Sequence, residues 1–430
     1  MAARLQMALS LGFHIVFACI GMVMPFMMVI SHYKWLKTKD EAYLEITKAW
    51  QKGVAIFFVV GAVSGTMLSF ELGLLWPGFM QYAGPIIGMP FSLEGAAFFT
   101  EAIAFGFYFY GWKKIKNEWF HWFTGVIIGI SGVASGVLVV SANGWMNSPS
   151  GFEYINGEFL NIDPIGALLN PAWFSQALHM VLAAFTAVGF GAAGLHALQI
   201  LRGKRTVAHK KAFGIAITLG AIAALLQPIS GDISAKDVAK RQPVKLAAME
   251  ALFETEEAAP LLIGGIVDEE SQTISTKIEI PGMLSFLAFG DFEAEVKGLN
   301  EFPKENHPPV AVVHYAFQIM VMLGGALSGA ALLFLISIKF KSLRDKKWFW
   351  MIFATMAPLG FIAVEAGWTV TEVGRQPWII YNIMRTKDAV TPIPGIEYSF
   401  VMFTTIYFIL ALAIVWLMNR QFKRFNMANE

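Results

Sequence analysis

Nine apolar stretches, each about 20 residues long and almost free of charge, constrain this chain more than any other feature. A helix of that length crosses the ~30 Å hydrocarbon core of a bilayer and satisfies its own backbone hydrogen bonds. Only 15% of the residues are charged and 56% are hydrophobic, too little polar surface for a large soluble protein with buried helices. We therefore predict an all-α integral membrane protein with nine transmembrane helices in a bundle. The predicted spans are 6–30, 53–76, 93–112, 120–142, 177–200, 211–230, 308–338, 348–372 and 396–418.

Lysine and arginine residues predict the orientation of the bundle. Basic residues follow every second span, whereas the connections 77–92 and 143–176 contain none. Because loops rich in Lys and Arg stay in the cytoplasm, we expect the N-terminus outside and the C-terminus inside. An odd number of spans requires the same arrangement. The basic clusters lie at residues 31–51, 113–116, 202–211, 339–347 and 420–424.

Residues 231–307 form one long segment that is too polar to be a span. The predicted topology places it outside, and it is too long to be a mere connector, which favours a function. Its stretch 244–253 (VKLAAMEALF) predicts a short amphipathic helix on the membrane surface. A disordered acidic loop is the alternative. We divide the chain into helices 1–6 (1–230), this loop (231–307) and helices 7–9 (308–430).

We single out nine ionisable side chains inside or at the ends of the predicted spans, where charge is costly and usually functional. The topology puts most of them in the outer half of the membrane, which indicates a shared site there. Cys19 is the only cysteine, so we expect neither an intrachain disulfide nor a thiolate metal site. The nine are His14, Glu71, Glu94, Glu101, His179, His196, His314, Glu365 and Glu372.

Three possible haem ligands have small residues one or two turns away on the same helix face, which leaves room for a flat macrocycle. Facing helices of a bundle commonly supply such ligands. A His and a Met together would make a six-coordinate, low-spin haem iron. The alternative is that the histidines are hydrogen-bonded packing residues and the methionine is core filler. The groups are His14 with Ala18 and Gly21, His179 with Ala183, and Met320 with Gly324.

Two pairs of carboxyl groups are spaced seven residues apart. Glu94 and Glu101 form one pair, and Glu365 and Glu372 form the other. Each pair lies on one helix face, about 10 Å apart. Carboxyl groups so placed can relay protons through a low-dielectric interior. Unrelated carboxyl groups that each bind a neighbouring helix would show the same spacing.

Five motifs follow one another in a specific order along the chain. They are RLQMALSLGFH (4–14), SLEGAAFFTE (92–101), ANGWMNSP (142–149), KLAAMEA (245–251) and EAGWTVTEVGRQPW (365–378). In this order they resemble subunit I of cytochrome bd-type quinol oxidases, from about residue 4 to residue 418. The last motif is the most specific of the five.

The resemblance implies four iron ligands. His179 and Met320 match the axial ligands of a low-spin haem b. His14 matches the axial ligand of one high-spin haem, and Glu372 matches that of the other. The implied cofactors are thus a low-spin haem b, a high-spin haem b, and a haem d or a further haem b in its place.

The resemblance also implies roles for eight other residues. Carboxylates on the proton route to the oxygen-reducing haem match Glu94 and Glu101. Polar positions that line proton access resemble Ser135 and Asn143, and quinol contacts match Lys245 and Glu250 in the external loop, called the Q-loop. Trp368 and Arg375 sit in the motif around the haems, where Arg375 could pair with a haem propionate.

Some features depart from the most familiar members of that family. Gln318 stands where many members have Arg, so one electrostatic contact to the low-spin haem is expected to be missing. The Q-loop is of the short type. The segments GFHIVFACIGMVMPF and GRQPWIIYNIMRT are similar in sequence to the cyanide-insensitive branch, which sometimes carries haem b in place of haem d.

The resemblance implies a terminal oxidase of the bacterial cytoplasmic membrane. It would oxidise membrane quinol outside, reduce dioxygen to water with cytoplasmic protons, and separate charge without pumping. Its partners would be subunit II and sometimes a small single-span subunit, with no nucleic acid. Two other classes stay open: a proton-coupled transporter without haem, and a haem-binding anchor that relays electrons only. The absence of an evident internal repeat weakens the transporter interpretation.

Overall fold

A computed structural model describes residues 1–204 and 206–428 of the chain. Long helices dominate it, and short strands occur only in the connections. The helices are α1 (Ala2–Thr38), α2 (Glu41–Leu75), α3 (Pro77–Gly111), α4 (Glu118–Asn147), α5 (Pro164–Leu168), α6 (Trp173–Leu201), α7 (Val207–Arg241), α8 (Pro243–Glu250), α9 (Met283–Phe289), α10 (Val310–Lys339), α11 (Lys347–Met356), α12 (Leu359–Val373), α13 (Thr386–Ala389) and α14 (Ile396–Ala428). The strands are β1 (Glu153–Ile155), β2 (Glu158–Leu160), β3 (Glu256–Glu257), β4 (Leu261–Asp268), β5 (Thr273–Ile280), β6 (Glu295–Val296), β7 (Trp378–Ile380) and β8 (Met384–Arg385).

The prediction of nine membrane-spanning helices is confirmed within the described residues. Nine helical segments there are long and apolar enough to cross a bilayer. The eighth consists of α11 and α12, which Ala357 and Pro358 separate. The nine segments are α1, α2, α3, α4, α6, α7, α10, α11–α12 and α14.

Helix α3 is longer than hydropathy predicts. It begins at Pro77, so residues 77–92, which we expected to form a loop, are helical despite the internal Pro85 and Pro90. Pro77 at the first turn is compatible with a helix, because its missing N–H would have no partner there. Phe79, Ala83, Ile86 and Ile87 are fully buried in the core formed with the segment after α12. Tertiary packing therefore overrides the local preference of the prolines for a loop.

Helix α7 also continues beyond its predicted end. It ends at Arg241, so residues 231–241 are helical, although we expected them in the loop. Asp232 pairs with Lys236 at 2.7 Å and Asp237 pairs with Arg241 at 2.5 Å, both at i,i+4 spacing. Such pairs stabilise a polar helical extension that a hydropathy scale cannot detect.

Helix α1 lies at the centre of the bundle, in contact with α2, α4, α6, α7, α12 and α14. Glycines bring the helices around it close together. A Cβ at Gly189 of α6 would lie 2.5 Å from Gly220 Cα on α7, and a Cβ at Gly360 of α12 would lie 2.5 Å from Ala187 Cα on α6. Small residues of this kind allow close backbone approach in membrane helices. They hold α6, α7 and α12 together around the candidate ligands.

The segment between α7 and α10 is folded. Helix α8 overlaps the predicted stretch 244–253, but every residue from Lys245 to Glu250 is buried, so protein encloses the helix and it offers no apolar face to a membrane surface. Strands β4 and β5 pair as an antiparallel hairpin in one continuous register, in which Gly265 alone of the β4 residues from Leu261 to Asp268 has no paired partner. The ordered hairpin, α9 and two further paired strands exclude the alternative of a disordered loop.

Candidate functional site

His179 is anchored to α7 by two side chains. Its Nδ1 lies 3.0 Å from Ser230 Oγ, and Gln227 Nε2 lies 3.1 Å from its Nε2. Gln227 also donates to the His179 carbonyl at 3.2 Å. The Ser230 bond fixes the ring through Nδ1, as in metal-ligating histidines, so Nε2, which Gln227 contacts, is the nitrogen that would face a metal. Helix α7 therefore positions the imidazole on α6.

Met320 lies on α10, with its thioether against α12. The side chain fits there because residue 367 is glycine, whose added Cβ would lie 3.0 Å from Met320 Sδ. Next to Gly367, Trp368 donates its indole N–H to Met180 Sδ at 3.3 Å. Met180 is the neighbour of His179, so α12 links the helices of the two proposed ligands. One turn beyond Met320, an added Cβ at Gly324 would meet nothing within 4 Å.

His14 lies half-buried on α1, opposite α2. Its Nδ1 lies 2.9 Å from Ser64 Oγ, and an added Cβ at Gly65 would lie 2.9 Å from its Cε1. Glycine at position 65 thus makes room for the ring. An added Cβ at Gly21, two turns along α1, would meet nothing within 4 Å. The open space near Gly21 is what a flat macrocycle beside His14 requires.

Glu372, at the end of α12, has a donor on each carboxylate oxygen. Arg375 Nη2 donates to Oε2 at 2.6 Å, and Asn143 Nδ2 of α4 donates to Oε1. The two donors orient the carboxylate and compensate its charge. Arg375 is 2% exposed, and its Nε and Nη1 have no hydrogen-bond partner among the described residues. Buried donors of this kind need an acceptor, which a propionate would supply.

Glu94 and Glu101 of α3 face α4. Ser135 donates to Glu94 Oε1 at 2.9 Å. Glu101 is 7% exposed, and an added Cβ at Gly132 of α4 would lie 3.6 Å from Glu101 Oε1. The two carboxyl groups therefore share the interface between α3 and α4, and Gly132 leaves space beside Glu101, the more deeply buried of the two.

Lys245 and Glu250 are both on α8 but do not share a pocket. Lys245 lines a cavity of about 280 Å³ together with Arg375 and Tyr381, whereas Glu250 does not line it. Burial, followed by the nearby Arg375 cation, lowers the pKa of Lys245 to about 7. Glu250 is 2% exposed with one carboxyl oxygen unpartnered, and burial raises its pKa to about 8. Both groups therefore titrate near neutral pH.

The donor set fits haem better than a bare metal ion. Within the described part of the chain, no three His, Cys, Asp or Glu side chains converge as a bare metal site would need. The candidate ligands stand singly on different helices, which suits axial ligation of a haem iron. The open spaces at Gly21 and Gly324 and the unpartnered donors of Arg375 fit the same group.

The remaining intramembrane ionisable residues lie apart from these ligands or border them. Gln6 donates to Glu71 at 2.8 Å in a fully buried contact, and His196 pairs with His209 at 2.9 Å. An added Cβ at Gly12 would lie 3.2 Å from Glu365 Oε2. The Glu365 carboxyl group of α12 therefore contacts α1 at a position two residues before His14. His314 is fully buried against the Met249 carbonyl at 2.8 Å.

Several site residues were not foreseen from the sequence. Ser64, Ser230 and Gln227 hold the two histidines, and Asn147 accepts a 2.6 Å hydrogen bond from Lys245. No local pattern marks the two serines or the glutamine. Asn147 could have been found, because it lies four residues after Asn143 on the same face of α4.

Comparisons with known proteins give one consistent result. Residues 2–426 match the family model described as cytochrome bd terminal oxidase subunit I. The putative cytochrome bd menaquinol oxidase subunit I of Bacillus subtilis (strain 168) is 36% identical, over 98% of this chain and 96% of that protein. The cytochrome bd ubiquinol oxidase subunit 1 of the same organism is 31% identical, over 98% and 93% respectively.

A solved structure shows the same architecture. The bd oxidase from Geobacillus thermodenitrificans superposes with a TM-score of 0.93 at 36% identity, covering 98% of both chains. The sequence match and the fold match both extend over nearly the whole chain. The chain therefore belongs to the cytochrome bd terminal oxidase subunit I family.

Proposed function

We propose that this chain is the catalytic subunit of a quinol oxidase that couples oxidation of membrane quinol to reduction of dioxygen to water. The observation that carries the proposal is the ligand set: His179 and Met320 on helices joined by α12, His14 beside Ser64, and Glu372 between Arg375 and Asn143. The named relatives are menaquinol and ubiquinol oxidase subunits, which supports the same activity.

The proposed haem sites follow from these ligands. His179 and Met320 would hold a low-spin haem b, and His14 and Glu372 would each hold one high-spin haem, either b with d or two of type b. Bound haem would supply electron transfer at the low-spin site and oxygen reduction at the high-spin pair. The protein positions the ligands through Ser230, Ser64 and Asn143, and Arg375 offers its unpartnered Nε and Nη1 atoms to a propionate.

Quinol oxidation requires a donor to a quinol oxygen and a base for its proton. Lys245 lines the cavity, and Phe302, Trp378 and Tyr381 add aromatic walls that suit a quinone ring. Glu250 is the candidate base, since its raised pKa matches proton uptake near neutral pH. Glu250 does not line this cavity, so we propose that the proton of a quinol placed by Lys245 reaches it through an intervening water or side chain.

Oxygen reduction to water consumes protons at the high-spin pair. We assign their delivery to Glu101 and Glu94, which face α4 one above the other. Ser135 donates to Glu94 and can pass a proton on by rotating its hydroxyl group. Asn143, which lies near the end of the same helix α4 as Ser135, orients Glu372 of α12. Drawing these protons from the cytoplasm while quinol protons leave outside would separate charge without a pump.

The proposed assembly pairs this chain with subunit II in the bacterial cytoplasmic membrane, and a small single-span subunit is a further partner. We place the N-terminus and the segment between α7 and α10 outside, since the basic clusters lie at the opposite ends of the helices. In this orientation the Lys245 cavity opens toward the outer side, where quinol protons are released.

Oxygen uptake by the purified complex with a short-chain quinol tests the activity. Two quinols should be consumed per dioxygen, because each quinol supplies two electrons and reduction to water takes four. In sealed liposomes, uptake should acidify the quinol-oxidising side and leave the opposite side more alkaline. Absence of quinol-dependent oxygen uptake would reject the proposal, and substrate-driven proton movement without haem would favour a transporter instead.

A further inference from the structure

Two buried side chains, Lys245 and Asn147, and two half-buried ones, Asn143 and Glu372, form an unbroken row of hydrogen bonds from the Lys245 cavity to Glu372. Lys245 Nζ donates to Asn147 Oδ1 at 2.6 Å, and Asn147 Nδ2 donates to Asn143 Oδ1 at 3.0 Å. Asn143 Nδ2 then donates to Glu372 Oε1. Lys245 is 4% exposed and Asn147 1%. The row connects a residue that lines the cavity to the proposed ligand of a high-spin haem.

The direction of every link in this row is determined by chemistry. A lysine ammonium has only donors, so Asn147 must turn its oxygen toward Lys245 and its amino group toward Asn143. Asn143 must then turn its amino group toward Glu372, which as a carboxylate only accepts. All the donors therefore point toward Glu372, and hydrogen bonds aligned in this way polarise one another.

Asn147 is held tightly at the middle of the row. Its Nδ2 also donates to the Asn143 carbonyl at 2.9 Å, so its oxygen and both of its N–H groups are used. Lys245 has a second acceptor, the Thr371 carbonyl, at 3.3 Å. When Lys245 is protonated, its third N–H is thus left for an oxygen atom of a molecule in the cavity that Lys245 lines.

We propose that Asn147 is a positioning residue that transmits occupancy of the Lys245 cavity to the Glu372 carboxylate. This inference rests on the proposed function. A quinone or quinol oxygen that takes the third N–H of Lys245 draws the ammonium toward the cavity and alters its bond to Asn147. The change passes through Asn143 to the carboxylate, so the environment of the haem at Glu372 responds to the substrate site.

The row does not serve as a proton wire. Neither asparagine has an acidic hydrogen or a basic site that exchanges protons at physiological pH, so what passes along the row is a change in hydrogen-bond geometry and polarisation. The coupling therefore needs no turnover. It is visible in the oxidised enzyme when a quinone binds.

The test uses the air-oxidised, purified complex titrated with a soluble short-chain quinone. Optical and electron paramagnetic resonance spectra of the high-spin haems are recorded, so that the readout does not depend on activity. We expect a saturable change in the wild-type spectra. Asn147→Asp keeps the acceptor for Lys245 but removes the donor to Asn143, so the high-spin change should be lost. The variant should still show saturable quinone binding.

Asn170→Asp is the matched control. Asn170 is equally buried and donates to the Ser141 carbonyl of α4 at 2.9 Å, but it lies outside the row. Its variant should keep the spectral change, and pyridine extraction should show full haem content in both variants. Retention of the spectral change in haem-replete Asn147→Asp would overturn the inference. A wild type that oxidises quinol but shows no spectral change on binding quinone would also overturn it. A wild type without haem or quinol oxidation would overturn the proposed function itself.

Discussion

His14, His179 and Glu372 share one local arrangement, in which a side chain on a neighbouring helix binds a ring nitrogen or a carboxylate oxygen. The partners are Ser64, Ser230 and Asn143 respectively. Such partners fix the orientation of a ligand and tune its basicity. Each of these three proposed haem ligands therefore depends on two helices, one that carries the side chain and one that fixes its orientation.

His179→Ala should remove the low-spin haem and stop quinol oxidation, because the iron would lose an axial ligand. Ser230→Ala should retain the haem with a changed midpoint potential, because only the bond to Nδ1 is lost. Redox titration followed at the low-spin absorption band distinguishes the two variants. A low-spin haem and normal quinol oxidation in His179→Ala would disprove the ligand role.

The rate of quinol oxidation should rise with pH through the range around 8. Burial raises the pKa of Glu250 to about 8, so the carboxyl group is protonated below that pH and becomes a base above it. Glu250→Gln should lower the rate and remove this rise. The measurement is the pH profile of kcat/KM for quinol in both proteins. A rise that persists unchanged in Glu250→Gln would assign the titration to another group.

Lys245→Met should raise KM for quinol and should not abolish haem binding. The side chain is of similar length but cannot donate to a quinol oxygen or to Asn147. Loss of one charged hydrogen bond corresponds to about 1.5–3 kcal/mol, or roughly a 10- to 100-fold change in KM if KM reports binding. Steady-state kinetics with a short-chain quinol provide the measurement. An unchanged KM would remove Lys245 from the quinol site.

At the level of helices and strands, two side chains of α10 form hydrogen bonds with the backbone of strand β4 in the β4–β5 hairpin. Gln318 donates to the Leu262 carbonyl at 2.9 Å and accepts from Gly264 N–H at 3.2 Å, and Tyr315 accepts from Val267 N–H at 3.1 Å. The residue that stands where many family members have Arg thus has a structural role here. It fixes the hairpin two residues from Met320.

Gln318→Ala should loosen the hairpin and leave the helices intact. Two hydrogen bonds are lost, at a cost of about 1–3 kcal/mol, so the amides of β4 should exchange with deuterium faster. Hydrogen–deuterium exchange followed by mass spectrometry measures the effect. Ser271→Ala at the exposed hairpin turn is the control and should leave exchange in β4 unchanged. Equal exchange in Gln318→Ala and wild type would show that the hairpin is held by other contacts.

The number of spans could be predicted from the sequence, but several helix ends could not. Hydropathy detects apolar helices because lipid exposure demands them. The first half of α3 contains two prolines and depends on packing around Phe79 and Ile86, which no local pattern reveals. The end of α7 depends on ion pairs. Two of the motifs contain His14 and Glu372, and small residues one turn away singled out His179 and Met320. Ser64 and Ser230 became visible only when the helices were brought together.

At the scale of the whole molecule, orientation in the membrane can be tested with single cysteines. Cys19 is fully buried and should not react with a membrane-impermeant maleimide. Ser271→Cys in the hairpin turn should be labelled in intact cells, and Lys346→Cys between α10 and α11 only after permeabilisation. The reverse pattern would invert the proposed topology and place the Lys245 cavity on the cytoplasmic side.

We propose that this chain holds three haems: one between His179 and Met320, one at His14 and one at Glu372. The most direct measurement is a dithionite-reduced minus air-oxidised optical spectrum of the purified complex, with pyridine extraction to identify the haems. We predict a low-spin b-type signal together with either a red-shifted chlorin band of haem d or further b-type haem. A complex that retains its fold and subunits but contains no haem would contradict the assignment of these residues as haem ligands.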